Sequence, residues 1–124
     1  MKDEGSYNRT LCVCSMGMLR SPTAAEVLSS HWAHNCRACG TDGAALIRLT
    51  PVLVNWADVI VCMERAQEEA VKSIVGAMVI EGAEPQVITL GIPDRYAFRD
   101  QESQRMVYDR FRELYSKPAR KSIL

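Results

Sequence analysis

The sequence predicts an α/β fold in which helices flank a parallel sheet. Three observations carry this expectation. Short apolar runs alternate with segments of helical period, most of the runs stop at glycine-containing turns, and Val59-Ile60-Val61 is β-branched at every position. Consecutive β-branched residues suit a parallel strand buried on both faces, and strands alternating with helices build an α/β sheet.

The first run, Thr10-Leu11-Cys12-Val13-Cys14, reads as a buried strand that ends in the turn Ser15-Met16-Gly17. Ser21-Pro22 then offers an N-cap and a first-turn proline, and Ala24, Leu28 and Trp32 recur at four-residue spacing as one apolar helix face. Cys36 to Gly40 is a weaker second strand, closed by Gly40-Thr41-Asp42-Gly43. Thr50-Pro51 repeats the cap-plus-proline signal before a short helix through Trp56, and Asp58 to Met63 is the third strand. A third helix is expected from about Glu64 to Val75, with Ala66, Ala70 and Ile74 on its buried side. Gln86 to Leu90 reads as a fourth strand broken by Gly91-Ile92-Pro93-Asp94, and Val107, Phe111, Leu114 and Tyr115 mark the buried face of a last helix.

One domain spanning residues 1–124 is expected, with fraying at 1–8 and 118–124. A chain of this length buries roughly two thirds of the surface its unfolded form exposes, enough to fold without disulfide or metal staples. Fifteen basic residues against fifteen acidic ones argue against a nucleic-acid binder held by bulk charge. Acids do prevail from Ala57 to Pro93, six to two, and bases from Asp94 onward, eight to five, which reads as solvated helix faces. No run approaches the ~18 apolar residues of a membrane span. Met1-Lys2-Asp3-Glu4-Gly5-Ser6 does not resemble a secretory signal, so a cytoplasmic location is expected. Five cysteines, an odd number, in a reducing compartment do not suggest a disulfide framework.

The chemistry concentrates in Cys14-Ser15-Met16-Gly17-Met18-Leu19-Arg20-Ser21, which joins a strand end to a helix start. Open α/β sheets bind ligands at the carboxyl ends of their strands, and a loop entering a helix presents unpaired N–H groups and the positive end of the helix dipole. Such a loop can cradle a tetrahedral oxyanion through the backbone of Ser15, Met16, Gly17, Met18, Leu19 and Arg20. The Arg20 guanidinium adds a planar fork of donors, Ser21 can donate to the thiolate, and the combined positive field favours the thiolate of Cys14. A thiolate facing a bound phosphate can displace its leaving group and form a phosphocysteine that water hydrolyses.

With strand, loop, arginine and Ser-Pro in this order, the sequence resembles the low-molecular-weight protein tyrosine phosphatases, whose loop reads Cys-x5-Arg-Ser-Pro after the first strand. Cys39-Gly40-Thr41 resembles that family's Ala-Gly-Thr, Trp56 to Met63 its Ala-Asp-x-Ile-x-x-Met strand, and Ile92-Pro93-Asp94-Arg95-Tyr96 its late acid loop. The matches run in order over about residues 10 to 115, and the length suggests the short bacterial or phage-type branch. The resemblance implies a three-layer α/β/α fold with a four-stranded parallel sheet in the order 2-1-3-4. It also implies cofactor-free hydrolysis of a phosphorylated protein or peptide, with phosphotyrosine as the favoured substrate. Cys14 would be nucleophile, Arg20 the phosphate clamp, Asp94 the acid/base and Tyr96 an aromatic wall. Asp100 competes with Asp94 for the acid role, with a helix N-cap as its alternative duty. Two departures stand out: Met16-Gly17 replaces the loop's frequent Gly-Asn, and Asp94-Arg95 replaces Asp-Pro, setting a cation beside the acid that favours its ionised form.

Other readings share these residues. Cys12 is expected on the same strand face as Cys14, as a buried small residue or as a partner in a protective disulfide. His31, His34, Cys36 and Cys39 are potential zinc ligands, but Cys36 and Cys39 should point to opposite faces of a strand, so no metal is expected. Arsenate reductases of the same fold use two further cysteines in a late segment, and no cysteine follows Cys62. Phosphoarginine phosphatases carry Thr where Met18 stands, and a phosphate-binding module without turnover remains the alternative from another class.

Overall fold

The computed structural model describes residues 8–78 and 84–115. Its elements follow the anticipated order: β1 (Arg9–Cys14), α1 (Arg20–Trp32), β2 (Asn35–Gly40), α2 (Pro51–Trp56), β3 (Val59–Cys62), α3 (Arg65–Ala77), β4 (Gln86–Thr89) and α4 (Gln101–Leu114). All strand pairs are parallel, and the order across the sheet is β2-β1-β3-β4. Register sets Cys14 beside Gly40 on one side and Val13 beside Cys62 on the other, so the ends of β1, β2 and β3 open on one region.

Alternation of side chains along the strands divides the core into two. Cys12, Cys14, Val59 and Val61 pack under α1 and α4 with Leu28, Trp32, Val107 and Phe111. Leu11, Val13, Ile60 and Cys62 pack on the opposite face with Val54 of α2 and Val71 of α3. This is the three-layer arrangement, with helices on both faces. Among the described residues no helix is long and apolar enough to cross a membrane. The expected fraying of 1–8 and 118–124 lies outside the described residues except at Asn8, whose amide donates to the Tyr115 hydroxyl at 2.7 Å.

Local sequence explains most helix ends. Thr50 caps α2 by accepting from the Leu53 amide at 3.3 Å, with Pro51 as first residue. Asp100 caps α4 by accepting from the Ser103 amide at 3.1 Å. Three expectations are corrected. Ser21 does not cap α1: the helix starts at Arg20 with Leu19 in the cap position, and the Ser21 hydroxyl turns inward to the Cys39 carbonyl. In α3 the inward positions are Gln67 and Val71, with Ile74 half-buried and Ala66 exposed. A polar residue holds the inward position there because it is hydrogen-bonded in the site, and apolar periodicity does not see that. In α4, Leu114 is 52% exposed, since the buried face has turned away by the last residue.

His34, after α1, accepts or donates at Nδ1 with Thr10 Oγ1 at 2.8 Å and packs edge-on to Phe111 and Tyr115. Burial holds its pKa below 6.5, against a smaller opposing pull from Asp58. The unfolded chain therefore takes up a proton at His34 before the folded one, and stability falls as pH drops below about 6.5 until the lowered pKa is passed. Thermal melts from pH 7.5 to 5 are expected to show a falling Tm that is flatter in His34→Gln. An equal slope in the variant would assign the effect to other groups.

Candidate active site

Cys14 is the last residue of β1, and its side chain is almost fully buried under the loop that follows. The loop folds back over its sulfur. The Gly17 amide donates to Cys14 Sγ at 3.1 Å, and Ser21 Oγ lies 3.2 Å from the same sulfur. Gly17 makes this curl possible: its φ is +74°, a conformation that L side chains rarely adopt. A Cβ there would also stand 2.8 Å from the Cys39 carbonyl carbon. The amides at the start of α1 lack intrahelical acceptors, as at every helix start, and supply the positive end of the helix dipole beside the loop.

Arg20 is 2% exposed, and a buried guanidinium is tolerated only when its charge is matched. Nη1 donates to Glu64 Oε1 at 2.5 Å and to the Ile92 carbonyl at 2.8 Å, Nη2 donates to Ser15 Oγ at 3.2 Å, and Nε lies 3.5 Å from Asp94 Oδ1. Nη1 is thus anchored by two acceptors. Asp94 meets the Nε side, and its side chain remains 62% exposed. It arrives there because the chain beyond β4 stays against the end of β3, with the Ile92 amide donating to the Met63 carbonyl at 2.8 Å.

The structure therefore brings Cys14, Ser15, Gly17, Arg20, Ser21 and Asp94 together. Met16, Met18 and Leu19 hold the rest of the loop, with exposed side chains. Tyr96 is placed differently from the expected open wall: it is 7% exposed, belongs to the α1/α4 core, and its hydroxyl donates to Glu102 Oε2 at 2.6 Å. Arg95 donates to the Tyr96 hydroxyl at 3.0 Å and lies near Glu102, so the cation beside Asp94 is Arg20 rather than Arg95. Asp100 spends its carboxylate on the α4 cap.

The remaining thiols are placed for packing. Burial pushes Cys39 up to about 12, with Cys14 adding to the rise, and burial likewise raises Cys62 to about 12. A hydrogen bond with Cys36 and then burial hold Cys12 well above the ordinary thiol range. The four residues weighed as zinc ligands are dispersed: His31 stacks edge-on to Tyr108, His34 is held by Thr10, and Cys36 and Cys39 pack on opposite sides of the sheet. Among the described residues no group of three or more His, Cys, Asp or Glu is placed to hold a metal ion.

Two site residues escaped the sequence reading. Glu64 and Gln67 form the capping box of α3 and face the loop: Glu64 on Arg20, Gln67 Nε2 on Ser15 Oγ at 3.4 Å. The available signal was positional, because Glu64 lies just beyond the carboxyl end of β3, the neighbour of β1.

The fold has counterparts among solved structures. The low molecular weight protein tyrosine phosphatase from Tritrichomonas foetus superposes with a TM-score of 0.61 at 14% identity, over 87% of this chain and 93% of that one. The chain has the low-molecular-weight phosphatase fold. Vibrio vulnificus Wzb, solved in complex with benzylphosphonate, matches with a TM-score of 0.53 at 20% identity, over 87% of this chain and 94% of that one. No protein-family model matches the sequence, and no curated protein does.

Proposed function

We propose that the protein is a cysteine-dependent phosphomonoesterase acting on phosphorylated protein or peptide, with phosphotyrosine as the favoured substrate. The observation that carries this reading is the Cys14 sulfur, which accepts from the Gly17 amide under a loop that leads into the buried Arg20 at the start of α1. The fold's solved members named as tyrosine phosphatase and as a benzylphosphonate complex support it.

In the first half-reaction the Cys14 thiolate attacks phosphorus, the P–O bond to the aryl oxygen breaks, and Asp94 gives that oxygen its proton. Ser21 would exchange its bond to the Cys39 carbonyl for one to the thiolate. Arg20 and the loop amides hold the three equatorial oxygens, where charge is spread in the transition state. In the second half, the Asp94 carboxylate takes a proton from water as its oxygen attacks phosphorus, and the P–S bond breaks to release phosphate and the thiolate. No step requires a metal or cofactor.

The test is steady-state hydrolysis of an aryl phosphate from pH 5 to 8, in reducing buffer, by wild type and Asp94→Ala. Loss of a general acid costs ~10²–10⁴ in rate. We expect a fall of about 10²-fold and the disappearance of the decline toward high pH that deprotonation of the acid causes. An inactive, folded wild type would overturn the reading in favour of a binding module. An unchanged profile in Asp94→Ala would move the acid role elsewhere.

A further inference from the structure

We propose that Ser15 and Gln67 are positioning residues of the anion site, which make the N-cap of α3 a brace for the Arg20 guanidinium. The proposal rests on the phosphatase reading and names residues that it does not need for the chemistry. Four hydrogen bonds close a ring. Arg20 Nη2 donates to Ser15 Oγ at 3.2 Å, and Gln67 Nε2 donates to the same oxygen at 3.4 Å. The Glu64 amide donates to Gln67 Oε1 at 2.7 Å, and Arg20 Nη1 donates to Glu64 Oε1 at 2.5 Å.

Gln67 is 2% exposed, and both ends of its amide are used: the oxygen caps the helix and the nitrogen reaches the loop. One side chain therefore couples the start of α3 to the anion cradle. The sequence of the loop shows why such coupling is needed. Between Cys14 and Arg20 stand Ser15, Met16, Gly17, Met18 and Leu19, and of these Ser15 alone has a side chain that hydrogen-bonds strongly. Gly17 gives the loop its turn but no side-chain fastening. Ser15 is the point at which the loop can be tied to the scaffold, and Gln67 and Arg20 are what it is tied to.

The brace is tested by anion affinity, read without turnover. Iodoacetamide alkylation of Cys14 is followed against rising inorganic phosphate, whose protection yields a dissociation constant, in wild type, Ser15→Ala, Gln67→Ala, the double variant and Gln67→Glu. Glutamate is a usual partner in a capping box and keeps the acceptor for the Glu64 amide, so Gln67→Glu preserves the helix start while removing the donor to Ser15 and placing a negative charge near Arg20. Each alanine variant is expected to bind phosphate about five- to tenfold more weakly, as loss of one hydrogen bond in a charged network implies. The double variant should be little worse than either single one, because both break the same ring. Gln67→Glu buries a new charge, so it should melt below wild type but stay folded, and should bind phosphate at least tenfold more weakly. Wild-type phosphate affinity in Ser15→Ala or Gln67→Glu overturns the brace, as do additive losses in the double variant. Absence of phosphate protection in the wild type overturns the phosphatase reading and the brace together, whereas protected wild type with unaltered variants overturns the brace alone.

Discussion

Cys14→Ser is expected to lower aryl phosphate hydrolysis by at least ~10⁴-fold while leaving inorganic phosphate bound. Removing a covalent nucleophile from an enzyme whose site acts as a unit costs on the order of 10⁶ in kcat, so the estimate is conservative. The serine hydroxyl would sit beneath the same Gly17 amide and beside the same Ser21 hydroxyl, but it is not ionised at neutral pH. No other thiol can take over. Cys39 and Cys62 are raised to about 12 and packed on the α2/α3 face, and Cys12 lies fully buried two residues back along β1. Cys36 is half-buried and its pKa is lowered by a hydrogen bond with Cys12, but it pairs with Thr10 at the far end of β1 from Cys14. Rapid denaturing quench of wild type with labelled aryl phosphate should place the label on Cys14, and the variant should carry none. Retained turnover in Cys14→Ser would move the nucleophile elsewhere; lost phosphate binding would mean that the sulfur also shapes the loop.

The sheet was legible because its signals are local and redundant. Val59-Ile60-Val61 is apolar on both faces, as a central strand between β1 and β4 must be, and Thr50-Pro51 marks a helix start with two independent residues. The loop was legible because Cys14, Gly17 and Arg20 act within seven residues of one another in sequence. What the sequence did not disclose depends on contacts distant along the chain. Glu64 reaches Arg20 across 44 residues and Gln67 reaches Ser15 across 52, and neither has a pattern that distinguishes it from an ordinary helix cap. Tyr96 packs into the core for a related reason. An aromatic beyond the acid loop has two possible fates, wall or core, and the choice is made by Glu102 in the first turn of α4, which accepts its hydroxyl. The same logic separates the two acids, since Asp100 is occupied by its own helix while Asp94 pairs with Arg20.

The other large effect is steric. A Cβ at Gly40 would stand 2.5 Å from the Met16 carbonyl carbon and 2.7 Å from the Gly17 nitrogen, and it would also meet the Ser15 oxygen. These are all backbone atoms of the anion loop, so no rotamer change can relieve the overlap. Gly40 cannot retreat either. Its amide donates to the Ile47 carbonyl and its carbonyl accepts from the Leu49 amide, both at 2.9 Å, and it is paired with Cys14 across β1 and β2. Either the loop lifts or the end of β2 unpairs. Lifting the loop carries the Gly17 amide away from Cys14 Sγ and turns several oxyanion donors off target, each of which is worth ~10²–10³ in rate when lost. Gly40→Ala should therefore reduce kcat/KM by at least ~10³-fold and abolish phosphate protection of Cys14. Overpacking a close contact also costs about 1–3 kcal/mol of stability, so denaturant unfolding should detect a less stable but still folded chain. Ala at the exposed Gly43, where a Cβ would meet nothing within 4 Å, is the control for glycine replacement in the same segment. A Gly40→Ala enzyme with wild-type turnover would mean that the β2 end is not the floor of the cradle.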